Sequence, residues 1–252
     1  MRCLRISAGI VSLLCGLVFA FGEADSANPV TATGILARPP AVVIGFLGGF
    51  VRHDARAHST VRLAEHLRNQ YPEGVYVQVF ENHHRNQAYQ EILRRLDLDR
   101  DGTLSTEEKQ KARIILYGHS WGASEAVTLA RKLKKVGIPV LLTVQVDSVA
   151  KIGENDRVIP SNVEQAVNFY QPHGLVHGRP QIRAADPERT QIVGNFRLDY
   201  SENPISCNGY PWFNRVFIRP HTEIECDPQV WNQVESLIQS KLSPPASITA
   251  AR

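Results

Sequence analysis

Short unbroken apolar runs alternate along the chain with stretches whose apolar residues recur every three or four positions. That is the pattern of buried strands interleaved with amphipathic helices. The first run after the N-terminal region is Ala41-Val42-Val43-Ile44, and it ends in Gly45-Phe46-Leu47-Gly48-Gly49. Ser59 or Thr60 then caps a helix to about residue 70, with Val61, Leu63, Ala64 and Leu67 at helical spacing, before Pro72 and Gly74 break it. Residues 75–80 are β-branched and aromatic and predict a second strand. A helix over roughly 87–96 leads into an acidic loop, and residues 113–117 predict the next strand. Residues 123–135 predict a helix with Ala126, Ala130 and Leu133 inward, stopped by Gly137 and Pro139. Residues 140–146, 166–170 and 216–218 predict three further strands. Asp227 is a natural N-cap with Pro228 at the first helical position, and Val230, Trp231, Val234, Leu237, Ile238 and Leu242 give the last helix its apolar face.

Strands alternating with helices predict an α/β fold with a doubly wound, mostly parallel sheet and helices on both faces. Reactive groups in such folds gather at the carboxyl ends of the strands. No internal repeat is present. Residues 148–213 are rich in Pro, Gly, Asn and His and predict a cap-like region over the mouth of the site. Val158, Ile159, Leu175, Val176, Tyr210, Trp212 and Phe213 are its candidate substrate contacts. Residues 23–40 read as a linker and 243–252 as a loose tail.

Composition narrows the class. The chain has 252 residues, 43% hydrophobic and 21% charged, which suits one globular domain rather than a disordered chain. Residues 1–22 read as a secretory signal, with Arg2 and Arg5 ahead of a nearly continuous apolar stretch from Ala8 to Phe21. Cleavage after Ala20 or after Gly22 fits, and an uncleaved anchor is the alternative, although spanning takes about 18 or more apolar residues. Loss of the two arginines takes the net charge from +3 to +1. That is too small an excess to predict nucleic-acid binding. Cys3 and Cys15 leave with the leader, so Cys207 and Cys226 remain and predict one disulfide in an exported, secreted or periplasmic protein.

Gly118-His119-Ser120-Trp121-Gly122 is a G-x-S-x-G sequence set between a predicted strand and a predicted helix. That context matters more than the pattern, because the serine must sit on a cramped turn that bares its hydroxyl at a helix N-terminus. A serine hydroxyl needs a base, and the base needs an acid to orient it. His221 lies after the predicted last strand, which is the right topological place, with His173 and His177 as competitors. Asp147 follows the strand next to the serine, with Asp186 and Asp199 as later alternatives. The order Ser120, Asp147, His221 is that of a hydrolase on an α/β sheet. Trp121 N–H and Leu47 N–H are the candidate oxyanion donors, and Phe46 and Trp121 are expected to flank the nucleophile.

These residues resemble the α/β-hydrolase superfamily in its lipase/esterase-like branch. The resemblance covers most of residues 40–240 and rests on Gly45 to Gly49, Gly118 to Gly122, Asp147 and His221. Gly45-Phe46 stands where the family usually has His-Gly. The resemblance implies that the glycine-rich turn after the early strand donates to the oxyanion, and the early acid resembles a minority arrangement among lipases.

The acidic loop from Asp97 to Glu108 is twelve residues long and matches an EF-hand-type calcium loop at its defining positions. Asp97, Asp99 and Asp101 offer carboxylates, Thr103 a backbone carbonyl, Ser105 the water-bridged position and Glu108 a bidentate clamp. Gly102 permits the sharp turn, and Leu104 is the position that packs inward. Such an all-oxygen set predicts Ca²⁺ in a structural role, within an EF-hand-like insertion over 86–112. Together these features predict an exported serine hydrolase acting on small-molecule or lipid esters, with no nucleic-acid partner and no stable membrane span after signal cleavage. An amidase or peptidase with the same triad is the alternative, and a non-catalytic calcium-binding protein on a hydrolase scaffold is a second class.

Overall fold

The computed structural model of the chain describes residues 39–242. The expected leader, the tail and all but the last two residues of the expected linker lie outside the described residues. The main sheet is built from β1 (Ala41–Leu47), β2 (Val75–Glu81), β3 (Ile114–His119), β4 (Val140–Val146), β6 (Val163–Tyr170) and β8 (Gln191–Arg197), in the order β2-β1-β3-β4-β6-β8. Every neighbouring pair is parallel. Two short strands, β5 (Val158–Ile159) and β7 (Arg183–Ala184), pair with each other outside it.

Helices cover both faces. On one lie α1 (Ser59–Gln70) and α7 (Pro228–Leu242), on the other α2 (Arg85–Leu96) and α4 (Trp121–Lys135). Strand alternation sorts the side chains between them. Val43, Ile115, Tyr117, Val144 and Phe169 meet Val61, Ala64, Leu67, Val234 and Ile238 in one core. Val42, Ile44, Phe46, Leu116 and Ala166 meet Ile92, Leu96, Ala126, Ala130 and Leu133 in the other. Both faces of the central strands are therefore dry, which is why their sequences read as continuous apolar runs. Gly45 is required because a Cβ there would lie 2.6 Å from the Tyr117 ring. That ring crosses the strand so that its hydroxyl reaches Thr60 O at 3.0 Å.

This is a doubly wound, parallel α/β sheet. Its strand order reverses between β1 and β3, and in open α/β sheets that crevice is where ligands bind.

Two sequence expectations change. Of the segment 216–218, read as a strand, Val216 and Phe217 end the helix α5 (Trp212–Phe217), and Ile218 links it to α6 (Arg219–Cys226). Pro211 at the N-cap of α5 and Pro220 in the first turn of α6 stand at helix starts, where a missing N–H costs nothing. Within the segment 148–213, read as cap-like, the strand expected at 166–170 forms as β6, and β8 joins it in the main sheet. β8 escaped notice because it is an edge strand with a half-exposed, interrupted apolar pattern. Its Gly194 is covered by the ring of Phe196, which stacks on Phe169.

Candidate active site

Ser120 follows β3 immediately and stands as the N-cap of α4 with φ 57° and ψ −127°. Few non-glycine residues adopt such a backbone, and its strain persists only where the surroundings enforce it. The flanking glycines provide the room. A Cβ on Gly118 would fall 2.5 Å from Gly122 C, and one on Gly122 would fall 2.2 Å from Phe46 O. The strand β3, the first turn of α4 and the end of β1 thus pack backbone against backbone. Gly48 presses on the same point, since its Cβ would lie 2.8 Å from Ser120 Cβ. Ser120 N–H donates to Val146 O at 3.0 Å, tying the turn to the end of β4.

Asp147 comes next after β4, fully buried and also at positive φ, 45°. Its carboxylate collects four donors. Oδ1 accepts Gly178 N–H at 2.7 Å and Gln171 N–H at 3.1 Å. Oδ2 accepts Gln171 Nε2 at 2.9 Å and faces His221 Nδ1 at 2.6 Å. A Cβ at Gly178 would sit 2.5 Å from Asp147 Oδ1, so only glycine lets that backbone close on the acid. His221 is buried in α6. Its partner is Asp147 and neither Asp186 nor Asp199. Asp199 instead contacts His173 at 3.1 Å in an exposed pair, and His177 faces Gly174 O.

Ser120 and His221 line one cavity of about 770 Å³. Gly48, Gly49, Phe50, Val51, Trp121, Val149, Val176 and Phe213 contribute to its wall. Phe50 takes the place expected of Phe46, whose side chain is in the core, and it packs edge-on against Trp121. Of the expected substrate contacts, Val176 and Phe213 reach the cavity. Trp212 is 65% exposed on α5, whereas Tyr210 is buried against the His58 ring. Leu47 closes β1 with its side chain in the core, one residue before the cavity wall begins. Trp121 is the first residue of α4, where a helix leaves backbone N–H groups free for a ligand.

The same cavity is lined by a second buried group, which the sequence did not disclose. Glu225 Oε1 faces His58 Nδ1 at 2.5 Å, and Glu225 Oε2 lies 3.4 Å from His119 Nδ1. His119 Nε2 is 3.2 Å from His221 O, and the two imidazole rings are 4.5 Å apart. Burial pulls the His119 pKa down to about 4, against the attraction of Glu225, so its ring is neutral near pH 7. Gln171, Gly178, His58 and Glu225 carry no local motif. Only the approach of segments distant in sequence reveals them.

Cys207 and Cys226 form a disulfide with a Cα–Cα distance of 5.9 Å. It fastens the chain ahead of α5 to the end of α6, the helix that carries His221.

The acidic loop joins α2 to the short α3 (Thr106–Gln110). Carboxylate oxygens of Asp97, Asp99 and Glu108 converge within 4.8 Å of one another. Gly102, at φ 85°, donates its N–H to Asp97 Oδ2 at 3.0 Å. Asp97 Oδ1 is buried with no hydrogen-bond partner. Asp101 accepts Thr103 N–H, and Ser105 forms a capping box with Glu108. The Asp101 N–H draws the Asp99 pKa down, but desolvation and the charges of Asp101 and Glu108 outweigh it and the net shift is upward. Leu104 packs against the core beside α2. The donor set, the crowding of like charge and the orphaned oxygen fit a hard cation of the size of Ca²⁺.

No family model matches the chain, and no curated protein matches it. Among solved structures it is similar to an uncharacterized protein from Pseudomonas aeruginosa at 12% identity, covering 54% of this chain and 35% of that one with a TM-score of 0.38. The chain spans about a third of that relative's length. It is also similar to a thermostable esterase from Pseudomonas putida at 12% identity, covering 84% and 77% of the two chains with a TM-score of 0.42. For a dienelactone hydrolase from Anabaena variabilis the values are 11%, 80% and 84%, with a TM-score of 0.39.

Proposed function

We propose that the chain is a serine hydrolase that cleaves carboxylic esters. One observation carries the reading: Ser120, on a strained turn, shares a cavity with His221, and the imidazole of His221 is held at 2.6 Å by the buried Asp147. In the proposed reaction, Asp147 fixes the tautomer of His221 through Nδ1 and leaves Nε2 to take the Ser120 proton. The Ser120 oxygen attacks the ester carbonyl, and Trp121 N–H and Leu47 N–H receive the charge on the tetrahedral oxygen. His221 passes its proton to the departing alkoxide as the C–O bond breaks. Water, deprotonated by the same imidazole, then releases the acid from the acyl-enzyme and restores Ser120. The apolar cavity wall of Phe50, Trp121, Val149, Val176 and Phe213 favours an apolar acyl chain.

The experiment is hydrolysis of short-chain nitrophenyl esters compared with the matching anilides. Ester turnover should exceed anilide turnover, and Ser120→Ala should lower it by about 10⁴-fold or more. Undiminished ester turnover in that variant would sink the reading.

The proposal includes one structural calcium ion, held by Asp97, Asp99, Asp101, Thr103, Ser105 and Glu108. Its acidic ligands are committed to the ion, so its effect falls on stability rather than on the chemical step. Export to an oxidising compartment, secreted or periplasmic, completes the reading. The Cys207–Cys226 bond supports it.

A further inference from the structure

A second cluster stands at the carboxyl edge of the sheet, away from the acidic loop. Glu81 ends β2, and the chain turns at once, with His84 N–H donating to Glu81 O at 2.9 Å. The turn folds two successive imidazoles back over the Glu81 carboxylate. His83 Nε2 lies 3.3 Å and His84 Nδ1 3.6 Å from Glu81 Oε2, and the two rings are 4.1 Å apart. From the loop between β1 and α1, His53 reaches the other oxygen. Its Nδ1 is 3.2 Å and its backbone N–H nitrogen 3.3 Å from Glu81 Oε1. Ligand atoms of Glu81, His83 and His84 all lie within 4.8 Å of one another.

The arrangement differs from contacts such as His58–Glu225 at 2.5 Å and His173–Asp199 at 3.1 Å, in which one nitrogen meets one oxygen. Here two nitrogens converge on one oxygen. With bonds of about 2.0–2.1 Å, the edge of a zinc tetrahedron is about 3.3–3.4 Å, close to the spacing of these donors. Exposure suits the same use. The Glu81 side chain is 16% accessible, while His83 is 63% accessible and leaves an open side for water.

We propose that Glu81, His83 and His84 bind one divalent ion of the zinc class, with His53 fixing the carboxylate oxygen left free. Two nitrogens and one carboxylate suit a borderline ion, whereas the all-oxygen loop at 97–108 suits hard Ca²⁺, so the sites divide by ligand chemistry. The ion would also brace the cavity. Asn82, between the ligands, donates its side-chain amide to Gly49 O, and Gly49 leads directly to Phe50.

The test is calorimetric titration of Zn²⁺ into the chain, stripped with chelator and then saturated with calcium so that the acidic loop is filled. One Zn²⁺ per chain is expected. His83→Ala with His84→Ala should weaken binding roughly 100-fold and His53→Ala about tenfold, the range seen when groups around a metal are removed. Circular dichroism should show both variants folded, since the replaced rings lie at the surface. Co²⁺ in place of Zn²⁺ should give the strong visible absorption of a four- or five-coordinate ion. No saturable Zn²⁺ binding, unchanged affinity in the folded double variant, or a weak octahedral Co²⁺ spectrum would each overturn the proposal.

Discussion

Gln171 is the residue on which the orientation of Asp147 most depends, since it gives that carboxylate both a backbone and a side-chain donor. The same side chain also donates to Val176 O, so it pins the acid to the cavity wall. A hydrogen bond to a charged group contributes about 1.5–3 kcal/mol. Gln171→Leu is therefore expected to lower kcat roughly 10–100-fold with KM little changed, and steady-state kinetics on a short-chain ester would show it. A comparable rise in KM would mean that Gln171 shapes the pocket instead. His119 sets a pH dependence of stability. Its pKa falls from 6.5 to about 4 on folding because burial excludes the charged ring. Between those values the unfolded chain binds the extra proton, so stability is full above pH 6.5 and declines as pH falls toward 4, by about 3 kcal/mol. Urea midpoints across that window should follow this slope, and His119→Gln should flatten it.

At the scale of elements, the segment bounded by Cys207 and Cys226 holds α5 and most of α6, including His221. Closing a loop of this size stabilises a chain by about 3 kcal/mol in the chain-entropy picture. Cys207→Ser with Cys226→Ser should lower unfolding free energy by about that amount. Ester turnover should fall further than the unfolded fraction explains, because His221 loses its tether. Equal losses in the two measurements would assign the bond to global stability alone. The helix α5 contributes no buried residue and shows Trp212, Phe213, Val216 and Phe217 to solvent. That is why residues 216–218 read as a strand from sequence: the apolar run is real, but it faces solvent beside the cavity and not a sheet. His221, expected after a strand, lies within the helix α6.

For the whole molecule, the acidic loop links α2 on one face of the sheet to β3, whose end carries Ser120. An ion bound there would stabilise the folded state by an amount that grows with the logarithm of its concentration over its Kd. At about 100 times its Kd the gain is about 2.7 kcal/mol, or a rise in Tm of roughly 5–10 °C for a domain of this size. Thermal melts in excess calcium and in excess chelator should differ by that much. Asp97→Asn with Glu108→Gln should abolish the difference, while Ser120→Ala should keep it. A loss of turnover on chelation at low temperature, with the fold intact, would move calcium from support to chemistry.

The sequence by itself determined the features encoded within a few residues of each other. The strands buried on both faces, the capped helices, the glycines around Ser120 and the spacing of the acidic loop are local patterns, each enforced by sterics or ligand geometry at short range. Asp147 was legible for the same reason, as the residue that ends a strand beside the serine strand. Tertiary structure alone decided what meets across distance. It chose Asp147 over Asp186 and Asp199 as the partner of His221, surrounded that acid with Gln171 and Gly178, and gathered His58, His119 and Glu225 at the same cavity. It also brought His53 from one loop to Glu81 at the end of another strand. Such meetings depend on strand order and on where loops cross the sheet edge, and these are set by packing summed over the entire core, which no short stretch of residues contains.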